Sequence, residues 1–412
     1  MSLVHVHGIG NRHREAFEQR SVVLEALFRR HLLPATGCDA ERSTILGPWW
    51  GGDIPPLAWN GASLRRAGPE VLGGPGDGDG EDAVRHAVTG LAVVTGAPAA
   101  PDRVLITAAA TSMAHAIGLL SAAVSAGEDD DVAAVVDFCA RATAYCDEVA
   151  PDERLLGLSR LSWAKDVEDD EALIDAFADV LAQWTPGPVA DGAATAGAWE
   201  QFGRVSSTRS ALSRPLRRIN RAAAAVVAGG MASAARQWVT PTASSLLGDV
   251  MAYLACRGTP QQPGAIVTTV TGALDEAAKA ASELGEPLVV VAHSMGGNIV
   301  HDILSTFRPD LEVDLLVTAG TQVGMFEEQK LFLASDPGLP HADCPKVPAL
   351  ANVRRWINTV DPGDPVGFLA APVFEGAEDF VFSSGAWWAH SGYLTSPVFH
   401  TRLAARVSGS RV

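Results

Sequence analysis

The run Ala292-His293-Ser294-Met295-Gly296-Gly297 follows directly on Pro287-Leu288-Val289-Val290-Val291. The β-branched apolar run reads as a buried strand, and Asn298 to Thr306 reads as a helix. A serine on so sharp a strand-to-helix turn presents its Oγ above a parallel sheet, where it can act as a nucleophile. Small residues at 292, 296 and 297 suit that turn, because two backbones approach where a Cβ would clash. The plainer reading of the same residues is a helix N-cap serine after a buried strand. The strand–turn–helix context favours the nucleophile.

A serine attacks well only when a histidine takes its proton and a carboxylate holds that histidine in the right tautomer. Both types follow in chain order. Asn352 to Val360 reads as a strand running into Asp361, Pro362, Gly363, Asp364, Pro365 and Val366. An acid in a Gly/Pro-rich turn at a strand end is a candidate third member. Asp364 is preferred, because it lies deeper in the loop and forms an Asp-x-Val pattern; Asp361 is the alternative. After a further short strand, Asp379 to Phe382, comes His390 in a loop, the candidate base. His400, the one later histidine, falls in the expected terminal helix, where a partly exposed surface role is expected.

Acyl transfer also builds negative charge on the carbonyl oxygen, which calls for two preorganised backbone N–H donors. Met295, directly after the serine, supplies one. The turn His7-Gly8-Ile9-Gly10-Asn11, leaving the strand Leu3 to Val6, supplies the other, with Ile9 as the donor. A phosphate-binding loop is the rival reading of this turn. It lacks the Gly-Lys-Ser/Thr ending and the Gly-x-Gly-x-x-Gly spacing. His7, Gly8, His293 and Trp388 are candidate substrate-binding residues. Trp49, Trp50 and Trp59 could line an acyl site or pack in the core, and Trp387 or Trp388 could wall it.

Together these stretches resemble the α/β-hydrolase superfamily, specifically its lipase-like and esterase-like serine hydrolases with a His-Gly oxyanion turn. The resemblance covers about 1–60 and 240–412; Gly248 to Leu254, Thr318 to Thr321 and the Asn-x-x-Asp-x-x-Asp-Pro-Val stretch from Asn358 to Val366 are similar to bacterial lipase-like hydrolases. It implies an α/β fold with a mostly parallel sheet and hydrolysis of a carboxylic ester through an acyl-serine. It also implies no cofactor and no metal. Ala292 stands where the usual pattern has glycine, and the chain begins at what looks like the third strand of the full fold. A reduced sheet of about six strands is therefore expected. The substrate class implied is a small-molecule or lipid ester with an apolar acyl chain. A serine peptidase or amidase on the same fold is one alternative, and a partner-binding protein using the helical insertion is another.

At 412 residues and 47% hydrophobic, the chain can bury a large core. A net charge of −17 argues against nucleic acid or an anionic membrane as the main target. The five cysteines include no Cys-x-x-Cys pair. Cys139 and Cys146, seven apart on an expected helix, stand about 10 Å apart along its axis, too far to bridge. Reduced thiols in a cytoplasmic protein are expected. Strand structure from residue 3 leaves no room for a signal peptide, so export is not expected.

The expected division is 1–60 and 242–412 for the hydrolase core and 61–241 for a mainly helical insertion or cap. Gly68 to Asp82 reads as a surface loop; its Asp77-Gly78-Asp79-Gly80 does not meet the calcium-loop template at positions six and twelve. Helices are expected over about 83–96, 104–126, 131–149, 153–164 and 169–184. The acidic runs Glu128–Asp131 and Glu168–Glu171 read as favourable charge at helix N-termini. Val104 to Gly127 carries no charged residue apart from His115, but its eight alanines favour a buried helix over a membrane span. Arg209 to Trp238, with Arg214, Arg217, Arg218 and Arg221, reads as a plain helix with arginines facing water, or as an interfacial helix in transient contact with a membrane surface.

Overall fold

In the computed structural model the described residues are 2–55, 79–125, 132–150, 156–185, 205–229, 248–382, 390 and 392–409. Contacts divide the chain into two compact units. One comprises Met1–Phe17, Cys38–Glu70 and Gln237–Ser383; the other comprises Glu18–Gly37, Val71–Arg236 and Ser384–Val412.

Among the described residues the first unit has eight strands: β1 Ser2–Val6, β2 Thr44–Leu46, β3 Gly258–Thr259, β4 Gln262–Pro263, β5 Leu288–His293, β6 Leu315–Ala319, β7 Trp356–Val360 and β8 Ala377–Val381. The short pair β3–β4 stands apart. The other six form one wholly parallel sheet in the order β2-β1-β5-β6-β7-β8. The expected α/β class and six-stranded sheet are found. Strands β6 and β7 are buried along their whole length and β5 along all but its last residue. That burial is why Leu288–Val291 and Leu315–Val317 read as unbroken apolar runs, while β7 also buries Asn358 and Thr359. Edge strand β8 is only partly buried and carries Glu378 and Asp379, which discourage pairing with another chain.

The helix Ala265–Leu284 packs on β1 and β2 through Ile266, Val267, Val270, Leu274 and Ala277, which recur at helical spacing. Gly285 ends it at φ +65°, a left-handed C-cap. A helix over 248–256 is fixed by a buried cluster. Tyr253 Oη and Arg257 Nη1 both donate to Asp302 Oδ2, at 2.9 and 2.7 Å, while the Leu333 amide donates to Oδ1 at 3.1 Å. Asp302 ends the helix that follows Ser294, so this paired charge anchors the serine's helix from behind.

The second unit is helical, with Asp79–Thr95, Val104–Thr111, Met113–Ser125, Val132–Val149, Asp170–Gln183 and Val205–Gly229 around a core of its own. The expected single helix over 104–126 is two helices. Ser112 adopts an extended conformation between them, and its Oγ accepts from the Ala114 amide at 3.2 Å, capping the second helix. In place of the expected helix over 153–164 there are two 3₁₀ turns, Leu158–Arg160 and Ser162–Ala164, and 151–155 lie outside the described residues. Asp169 caps its own helix through the Ala172 amide. Buried Asp170 instead accepts from the Val104 and Ile106 amides, capping the N-terminus of a neighbouring helix. Arg141 is its counterpart, donating to the carbonyls of Leu181 and Trp184 at a helix C-terminus. The helix Val205–Gly229 buries Leu212, Leu216, Ile219, Ala223 and Val226 and exposes Arg214, Arg217 and Arg221. Glu128–Asp131 and 230–247 lie outside the described residues, as does Trp59. Among the described residues no helix is long and apolar enough to cross a membrane, and the five cysteines form no disulfide.

The units differ from the sequence division, because 18–37 and 384–412 pack with the helices. The terminal helix Pro397–Ser408 sets His400 against Phe28 and His31, with ring centroids 5.3 and 6.1 Å away. His400 is thus wholly buried, a correction to the surface role expected of it. Its partners lie far away in sequence, which is why the local pattern misleads. Nε2 bonds the Leu394 carbonyl at 2.6 Å, and burial lowers its pKa to about 4.

His301, in the sheet unit, is a second buried imidazole, set among Phe332, Trp356 and Phe374. Neither ring nitrogen has a hydrogen-bond partner among the described residues, and burial lowers its pKa to about 3. Both histidines fold neutral and take up protons on unfolding near the ordinary value of 6.5. Their stabilisation is full above that value and is lost as pH falls below it. Replacing His301 with Phe is expected to remove about 2 kcal/mol of the stability loss between about pH 7 and about pH 5. Urea titrations at both pH values check this; an unchanged loss in the variant contradicts it.

Candidate active site

All six strands point their carboxyl ends to one edge of the sheet. From β1 the chain goes to β2 on one side, and β5 then adds on the other. The gap beyond β1 and β5 is therefore the topological switch point, where open α/β sheets hold ligands. Register pairs Val6 with Ala292, so Gly8 and Ser294 leave the sheet side by side.

Ser294 has φ +53° and ψ −129°, strained for a residue with a side chain. It lies at the N-cap of the helix Met295–Asp302, and its amide donates to the Ala319 carbonyl at 3.0 Å. Close packing holds the conformation. A Cβ on Gly296 would lie 2.4 Å from the Val6 carbonyl oxygen, and one on Gly297 would lie 2.3 Å from Thr321 Cγ2. Ala292 is wholly buried within β5 and meets no such limit, so alanine serves there. Met295 opens the helix, so its amide belongs to the first four, which have no acceptor within the helix.

Gly8 faces the serine directly. A Cβ there would lie 2.7 Å from Ser294 Cβ, 3.2 Å from its Oγ and 3.3 Å from His293 Nδ1. The turn is held rigidly. Trp50 donates its backbone amide to His7 Nε2 at 3.2 Å and its indole N–H to the His7 carbonyl at 2.9 Å. Its ring stacks on the imidazole with 4.7 Å between centroids and 3° between planes. An Nε2 that accepts leaves the proton on Nδ1, which donates to the Gly8 carbonyl at 2.6 Å. Asn11 Nδ2 donates to the same oxygen at 2.9 Å. A trans peptide carries its N–H opposite its C=O, so pinning the Gly8 carbonyl also fixes the Ile9 amide. Further along, Arg12 pairs with buried Asp249, which also accepts from the Gly10 amide at 3.4 Å, and Trp49 Nε1 donates to the Asn11 carbonyl at 2.6 Å. Trp49 and Trp50 thus brace this turn.

Two strands from β5, β7 ends at Val360 and both candidate acids follow. At about 4.8 Å per strand step they leave the same sheet edge roughly 10 Å from the serine's strand. Asp361 and Asp364 are both buried. The Asp361 carbonyl accepts from the Asp364 amide at 2.9 Å, closing a turn over Pro362 and Gly363. Each carboxylate also accepts from the amide two residues on, Asp361 from Gly363 and Asp364 from Val366.

The structure thus brings together Gly8, His293 and Ser294, with Ile9 and Met295 in the adjoining peptides, His7 behind the turn and the two acids on the same edge. His390 falls in the other unit and is partly buried. Trp387 and Trp388 lie outside the described residues. Sequence reasoning missed the bracing groups Asn11, Arg12 and Asp249. Arg12 and Asp249 meet across a long stretch of chain while Asn11 bonds within its own turn, and only the polar residues crowding a Gly-rich turn could have pointed to them. No protein-family model, curated protein or solved structure matches the chain.

Two variants check this geometry. Gly8→Ala is expected to fold and to lose reactivity at Ser294 by on the order of 10²-fold, since misplacement of about 1 Å costs that much. Reactivity at the parent's rate contradicts the close approach. Ser294→Gly is expected to be more stable than Ser294→Ala by about 1 kcal/mol, because glycine relieves the strain and alanine keeps it. Equal midpoints in denaturant contradict the strain.

Proposed function

We propose that the chain is a serine hydrolase of the α/β-hydrolase type that cleaves carboxylic esters through an acyl-serine intermediate. The observation that supports this most is Ser294 itself. It holds a strained backbone at the carboxyl end of a parallel strand, with a side-chain-free residue, Gly8, set against its Oγ.

In this reading Ser294 Oγ attacks the ester carbonyl carbon while its proton passes to His390, which is assigned from chain order. Asp364 orients and stabilises the imidazolium. The Ile9 and Met295 amides donate to the oxyanion of the tetrahedral intermediate. Collapse expels the alcohol, which takes the proton back from His390. Water, deprotonated by the same histidine, then attacks the acyl-serine; collapse breaks the acyl–Oγ bond, Ser294 Oγ takes the proton from His390, and the acid is released. His293 lies beside Gly8, where it can contact the bound ester. The apolar acyl chain is carried over from the sequence resemblance.

The test is covalent labelling by a fluorophosphonate together with turnover of p-nitrophenyl esters of graded chain length. Ser294→Ala is expected to abolish both. Asp364→Asn and His390→Ala are each expected to lower turnover by on the order of 10⁴-fold, and Asp361→Asn to lower it far less. A parent protein that neither labels nor turns over any ester contradicts the proposal. A large loss in Asp361→Asn alone moves the acid to that residue.

A further inference from the structure

Gln322 follows β6 as the N-cap of the helix Val323–Glu328 and is buried between the serine's helix and the acid loop. Its Nε2 donates to the Val366 carbonyl at 2.7 Å and to the Gly320 carbonyl at 3.0 Å. Both of these partners can only accept, which fixes the amide's orientation. Its Oε1 accepts from Asn298 Nδ2 at 3.1 Å. Asn298 is wholly buried on the helix that Ser294 opens, four residues beyond it. At the other end, the Val366 N–H donates to Asp364 Oδ1 at 2.9 Å. A continuous chain of hydrogen bonds therefore runs from the serine's helix through Asn298, Gln322 and Val366 to the Asp364 carboxylate.

We propose that Gln322 is a positioning residue that holds the Asp364 carboxylate in register with the serine's helix. This rests on the acyl-serine reading above and refines it. It also separates the two acids. Asp361 is the first residue after β7 and bonds the Gly363 amide, so the strand end carries it. Asp364 is held through residue 366, and that residue is held through Gln322.

The remainder of the loop has its own anchors. The Phe368 amide donates to the Thr321 carbonyl at 2.9 Å, and Asn358 Nδ2 donates to the Phe368 carbonyl at 3.0 Å. The Ala370 and Ala371 amides donate to the Asp379 carboxylate at 2.9 and 3.0 Å. Asn358 in turn bonds Thr318 and Asp379 across three strands. Losing Gln322 thus removes the side-chain anchor of residue 366, whose amide bonds the Asp364 carboxylate, while the Asp361–Asp364 turn and the anchors of 368–371 stay in place.

The test compares the parent, Gln322→Met, Gln322→Ala, Asp364→Asn and the Gln322→Met/Asp364→Asn double variant. Fluorophosphonate labelling rates, p-nitrophenyl ester kinetics and amide exchange of the 361–368 segment are the readouts. Both Gln322 variants are expected to lose kcat and labelling rate by on the order of 10²-fold with KM unchanged. Exchange of 361–368 should rise while that of 295–302 stays at the parent's level. The double variant should be no slower than Asp364→Asn, because both changes remove one effect. Parent-like rates in the Gln322 variants, or a double-variant loss equal to the product of the single losses, overturn the positioning role. A parent that does not label at all overturns the acyl-serine reading as well. The two failures are distinguishable, because only the second is visible without any substitution.

Discussion

A residue with a side chain does not hold φ +53° and ψ −129° by its own preference, and the site depends on the packing that forces Ser294 to do so. Three close approaches converge on it. Gly296 admits the end of β1, Gly297 admits Thr321 after β6, and Gly8 faces the serine side chain. Each needs a missing Cβ, so the turn forms only where strands β1, β5 and β6 are already aligned. The paired charge on Asp302 secures the far end of the serine's helix. Strain at one residue is thus stored by the burial of three parallel strands and by a helix fixed at both ends.

The second constraint acts on the Gly8–Ile9 peptide. Backbone donors stabilise a developing negative charge only if they do not have to reorganise when it appears. The His7 and Asn11 bonds to the Gly8 carbonyl, the Trp50 stack and the Asp249 bonds to Gly10 and Arg12 all resist rotation of this turn. The same tryptophans that could have lined a substrate channel serve this purpose instead. Buried Trp50 and half-buried Trp49 hold a rigid turn at the switch point of the sheet.

The central strands and the serine turn were legible in the sequence because a parallel strand covered on both faces reads as a plain β-branched run. Leu288 to Val291 and Leu315 to Val317 carry that signature, and the glycines after Ser294 mark the tight turn. Less was legible wherever a distant partner decides the outcome. The break at Ser112 depends on a side-chain cap that competes with a good helical pattern. The burial of His400 depends on Phe28 and His31, hundreds of residues earlier. Gln322 carries no local signature at all. Its role comes from meeting Asn298 and Val366, which lie on opposite sides of it in the chain. The preference for Asp364 over Asp361 rests on a short sequence pattern, and each acid bonds the amide two residues on.

The central claim is that the Ser294 turn and the Gly8–Ile9 turn form one preorganised site for an oxyanion. The most direct measurement is a crystal structure of the protein after reaction with a fluorophosphonate. The account predicts phosphorus bonded to Ser294 Oγ, with one phosphonyl oxygen about 2.7–3.1 Å from both the Ile9 and Met295 nitrogens. The Gly8 carbonyl should keep its bonds to His7 and Asn11. An adduct on another residue, or one whose oxygen turns away from both amides, contradicts it.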